Sequence, residues 1–94
     1  MSVLVRKRRR AILRLAAKYG AQHVRLFGSA ARAEDTKRSD VDFLVAMRKG
    51  RSLFDLINLS FDLEALLGRR VDVVTDRGLT PNLRESICRQ ARPL

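Results

Sequence analysis

The sequence predicts an α/β (α+β) fold, a small β-sheet covered by helices, and three observations lead there. Stretches of helical apolar spacing alternate with short strand-like runs, in the order α-β-α-β-α-β-α. Cap and stop residues stand at the joints between them. No repeat, low-complexity segment or long linker interrupts the 94 residues, so residues 1–94 are expected to form a single domain.

Residues 3–19 are predicted to form one helix. Ile12, Leu15, Ala16 and Tyr19 fall at helical spacing, Val5 lies seven residues before Ile12, and Lys7, Arg10, Arg14 and Lys18 make a basic stripe. Gly20 supplies the stop. HVRLF (23–27), alternating and rich in β-branched and aromatic residues, reads as a strand. The chain then turns at Gly28-Ser29, AARA (30–33) begins a short helix, and EDTKRS (34–39) is a polar loop. DVDFLVAM (40–47) is a second strand. Ser52, with Asp55 three residues on, forms a capping-box pattern that opens a helix. Leu56, Leu59, Leu63 and Leu66 are its expected buried stripe, and Gly68 closes it. RVDVVT (70–75) is a third strand, and Thr80-Pro81 starts a last helix whose Leu83 and Ile87 should face the core.

Composition narrows the function classes. Hydrophobic residues at 46% and charged residues at 32% suit a soluble globular protein. No apolar run approaches the ~20 residues needed to span a bilayer. The N-terminus lacks the apolar core and cleavage site of a secretory signal, so a cytoplasmic location and no membrane partner are expected. One Cys and one His exclude a disulfide framework and a zinc site built on those ligands. Cys88 reads as a small packing residue, and Tyr19 and His23 as structural. The net charge of +10 attracts polyanions. With four Phe, one Tyr and no Trp there is little to stack bases on, so nucleic acid is disfavoured as a direct ligand. RKRRR (6–10) then reads as a solvated face or a dock for an acidic partner.

The candidate site lies in FGSAARAEDTKRSDVDFLVAM (27–47). Asp40 and Asp42 should leave their strand on one face, roughly 7 Å apart at Cα, while Val41, Phe43 and Val45 point into the core. Two adjacent carboxylates repel and call for a cation, and hard oxygen ligands suit Mg²⁺ shared with phosphate and water. Gly28-Ser29, where a strand turns into a helix, offers free backbone N–H groups and a hydroxyl to phosphates. Asp72, flanked by Val71 and Val73, is the third strand carboxylate. Three together match a two-ion site, with Asp72 also orienting or deprotonating an acceptor hydroxyl. Arg32 and Lys37 are near enough in sequence to neutralise departing phosphates. The layout points to in-line attack on a nucleotide α-phosphate, with pyrophosphate leaving.

GSAARAEDTKRSDVDFLV (28–45) resembles the Gly-Ser, ten residues, Asp-x-Asp motif of the DNA polymerase β-like nucleotidyltransferase superfamily. More narrowly, the chain is similar to the minimal nucleotidyltransferase (MNT) proteins, through LFGS, SDVDFLV, LEALLGRRVDVVT and LRESICRQARPL. The resemblance implies the minimal polymerase β-like nucleotidyltransferase fold, a small mixed β-sheet with helices packed on it. It implies Mg²⁺ on Asp40 and Asp42, with Asp72 completing the site, and nucleotide phosphates on Gly28 and Ser29. It also implies an antitoxin that uses ATP to adenylylate a tyrosine on a HEPN-domain ribonuclease toxin. Many relatives carry Gly where this chain has Ala33. Two alternatives stand beside this reading: a catalytically lapsed antitoxin that masks its toxin by binding, and, more distantly, a basic nucleic-acid-binding regulator.

Overall fold

The computed structural model describes residues 1–94 and contains ten elements. They are α1 (Val3–Lys7), α2 (Arg9–Lys18), β1 (Ala21–Phe27), α3 (Gly28–Ala31), β2 (Val41–Met47), α4 (Leu53–Leu67), β3 (Val71–Thr75), a 3₁₀ turn (Asp76–Gly78), α5 (Pro81–Gln90) and β4 (Arg92–Pro93). The four strands form one mixed sheet in the order β3-β2-β1-β4. β2 and β3 run parallel, joined across α4, and the other pairs are antiparallel. No helix is long and apolar enough to cross a membrane.

One face of the sheet carries the core. Val41, Phe43 and Val45 from β2 and Leu26 from β1 are almost wholly buried, packed in one cluster with Val5, Ile12, Ala16, Leu59 and Leu63 from the helices. Each fully buried Val, Leu, Ile or Phe contributes roughly 1.5–3 kcal/mol over leaving it exposed. α4 begins where expected: Ser52 and Asp55 form the capping box, and Gly68 ends the helix at φ +67°.

The structure corrects several expectations. The helix over 3–19 is broken at Arg8, whose φ of −103° and ψ of 11° divide α1 from α2. Five consecutive cations from Arg6 to Arg10 put like charges at i,i+3 and i,i+4, which weakens an unbroken helix there. The buried stripe of α4 is Leu59, Leu63 and Leu67, with Leu56 and Leu66 at its margin. No residue of α5 is buried; Leu83 is 54% exposed and Cys88 is exposed, so neither packs in the core. Helical spacing shows that a stripe exists, but not that anything covers it. β4 has no counterpart among the predicted elements. Two residues with a proline carry no strand signal, yet at the sheet edge a proline costs no ladder bond.

Candidate functional site

β2 delivers Asp42 to the face opposite Val41, Phe43 and Val45. The parallel register sets Asp42 beside Asp72 of β3, and the antiparallel register sets it beside Phe27, the last residue of β1. In a parallel pair, register partners point to the same face, so these two carboxylates neighbour each other by construction. Asp40 lies one residue ahead of β2 and is exposed, with only a loose 4.0 Å approach to Arg70. Asp42 is half-buried and Asp72 exposed on the edge strand.

Gly28 links the two halves of the motif. Its φ is +71°, a backbone conformation that disfavours any side chain, and a Cβ there would lie 2.5 Å from the Oδ2 of Asp42. Glycine is required on both counts. α3 starts at this glycine, with Phe27 rather than Ser29 in the cap position, so Ser29 is the second helical residue and half-buried.

Charge at the site is unbalanced. Burial, then the like charges of Asp72 and Asp40, push the Asp42 carboxyl up to about 6. Neither Asp42 nor Asp72 enters an ion pair. An Asp42 carboxyl raised by acidic neighbours, with no protein cation paired to it, fits a bound divalent ion, and hard carboxylate oxygens fit Mg²⁺. Asp40, Asp42 and Asp72, expected to converge, do not form a ready-made cage: no three His, Cys, Asp or Glu side chains come together closely enough to hold an ion. Neither of the two clefts in the structure is lined by Asp40, Asp42 or Asp72. The site is an open shelf on the sheet.

The loop between the halves is tethered. Asp35 meets Arg69 at 2.6 Å, with side chains only 8% and 13% exposed. Burial works to raise the Asp35 carboxyl, but hydrogen bonds from Arg69 and Ser2 outweigh it and hold it below its ordinary range. Ala33 has φ +58°, in the region that glycine favours. Arg32 is turned to Glu34 in an exposed pair at 3.0 Å, and Lys37 is exposed.

Sequence reasoning missed two supports. Arg25 of β1 reaches across β2 to Asp76 just after β3, at 2.7 Å, linking the strands on either side of β2. Glu64 of α4 accepts a hydrogen bond from the backbone N–H of Val71 at 3.0 Å, fixing the start of β3 next to Asp72. Neither has a local signal: the first pair is separated by 51 residues, and Glu64 reads as a surface residue of α4.

The profile of the nucleotidyltransferase domain family matches residues 8–93. A candidate protein adenylyltransferase of Methanocaldococcus jannaschii is 40% identical over 83 residues, covering 88% of this chain and 89% of its own. A solved structure of a candidate minimal nucleotidyltransferase is 52% identical, with a TM-score of 0.89, over 100% of this chain and 97% of the other. A second solved structure, tri-AMPylated Shewanella oneidensis HEPN toxin in complex with MNT antitoxin, matches in fold, with a TM-score of 0.72 and 21% identity. It covers 94% of this chain and 69% of that one.

Proposed function

The chain belongs to the nucleotidyltransferase domain family, with curated relatives named protein adenylyltransferases, and we propose that it is a Mg²⁺-dependent antitoxin. It transfers AMP from ATP to a tyrosine hydroxyl of a HEPN-domain ribonuclease toxin and so neutralises it. One observation carries this reading: Asp42 and Asp72 stand side by side in register with no ion pair to either, and Asp42 lies against the glycine that begins α3. The partner class follows the HEPN toxin that accompanies the Shewanella neighbour.

Asp40, Asp42 and Asp72 would hold up to two Mg²⁺ ions. When bound, the metal supplies neutralisation of the triphosphate and of the negative charge that develops on the reacting oxygens. Gly28 lets a phosphate approach the backbone without a Cβ in the way, and the Ser29 hydroxyl donates to it. Asp72, exposed on the edge strand, orients the acceptor hydroxyl and takes its proton. The hydroxyl oxygen bonds the α-phosphorus, the bridging bond to the β-phosphate breaks, and pyrophosphate leaves. Arg32, held only by the exposed Glu34, swings to neutralise it. An open shelf admits an acceptor carried on a separate protein. The reaction belongs in the cytoplasm, where ATP and Mg²⁺ are at hand and the exposed Cys88 thiol stays reduced.

The purified toxin, incubated with this chain, ATP and Mg²⁺, should gain whole AMP units by intact mass. Asp40→Asn should abolish the gain. An unchanged toxin mass with the wild-type chain would leave docking as the only neutralising action.

A further inference from the structure

A second place in the fold is built for an anion. A cleft of about 720 Å³ opens at the far end of the sheet, where β1 begins and β2 ends. From Asp42 to Met47, which lines it together with Ala46 of the same strand, β2 runs about 17 Å. The wall carries His23, Arg48, Lys49, Arg51, Arg77 and Arg84 against one carboxylate, Asp76. Asp76 is taken by Arg25 at 2.7 Å, and Arg51 is taken by Asp55 at 3.4 Å. Arg48, Lys49, Arg77 and Arg84 enter none of the ion pairs of the chain. Four like charges around one hollow repel one another, and none of them is held in an ion pair. α4 adds to the positive field, because Ser52 and Leu53 at its N-terminus line the same cleft.

Shape and lining narrow the ligand. The apolar part of the wall includes Ala46, Met47 and Leu56, and no Phe, Tyr or Trp lines it; His23 is its single ring. Single-stranded nucleic acid calls for successive stacking platforms along a groove, and one imidazole does not make a series. A hollow in the size range of small-molecule sites suits a compact ligand. We propose that this cleft is a second anion site that takes a compact polyphosphate, either an inorganic chain or the phosphates of a nucleotide, independently of the carboxylate shelf.

Inorganic tripolyphosphate titrated into the ¹⁵N-labelled chain in metal-free buffer tests this by NMR. Saturable shifts should centre on the amides of residues 22–23, 48–53 and 76–77. Affinity should fall at least tenfold in Arg48→Ala/Arg84→Ala, and hold in Asp42→Asn and in Arg6→Ala/Arg10→Ala, which removes the same charge elsewhere. Far-UV circular dichroism verifies that each variant is folded. GTP as a second titrant separates the sources: tighter binding than tripolyphosphate assigns the site to nucleotides, and equal or weaker binding assigns it to the phosphate chain. Shifts centred on Gly28-Ser29 or spread along α1 and α2 would overturn the proposal. So would a lack of saturation, equal affinity in the two double variants, or a single-stranded RNA that displaces tripolyphosphate from these residues at lower concentration.

Discussion

At the scale of single residues, Asp42 and Gly28 are the positions whose chemistry is least free. The folded pKa of about 6 for Asp42 lies above its ordinary 3.8, so between those values the folded chain holds more protons than the unfolded one. Stability therefore falls as pH rises through that window. Asp42→Asn should stabilise the metal-free protein at pH 7, by about 1 kcal/mol after discounting for solvent around a half-buried group, and should add nothing at pH 3. Urea midpoints at the two pH values measure this. The same variant should lose AMP transfer, a gain in stability bought at the expense of activity. Gly28→Ala should cost about 1–3 kcal/mol, since the new methyl meets both the positive φ and the Asp42 carboxylate. A Gly28→Ala variant with the wild-type urea midpoint would show that the carboxylate gives way freely. Glycine after an apolar strand is a visible signal in the sequence; its contact with Asp42, fourteen residues on, is not.

Among the elements, the segment between α3 and β2 shows how a polar loop becomes a fixed strut. Asp35 and Arg69 are a nearly dry ion pair that ties this loop to the α4–β3 junction, and so ties the Gly28-Ser29 turn to the strand bearing Asp72. Removing one partner strands the other charge, so Asp35→Asn should destabilise the fold by about 3 kcal/mol. Because its carboxyl is held below the ordinary range, the stability that Asp35 contributes is present above its unfolded pKa and is lost as pH falls through its folded one. Acid titration of thermal stability should therefore show a steeper loss in the wild type than in Asp35→Asn. EDTKRS reads as loop in the sequence and is loop in the structure. Its anchorage was illegible, because the partner lies 34 residues away and nothing in the spacing of either residue marks it.

For the whole molecule, one sheet separates two electrostatic regimes: uncompensated carboxylates at one end and unpaired cations at the other. Mg²⁺ that binds only the folded chain should raise its melting temperature in proportion to the logarithm of concentration above Kd, and Asp42→Asn should remove that dependence. Differential scanning fluorimetry across a Mg²⁺ series decides it. Local pattern was enough to establish the kinds and sequence of the main elements, the α4 capping box and the side of β2 that faces the core. Those depend on periodicity and caps, which act over a few neighbouring residues. Only the tertiary structure decided that Asp72 stands in register with Asp42, that Arg25 clasps Asp76 over β2, that the first helix breaks at Arg8, that α5 stays uncovered and that β4 closes the sheet edge. Each of these depends on which distant segments meet, and the spacing of apolar residues along a chain carries no record of that.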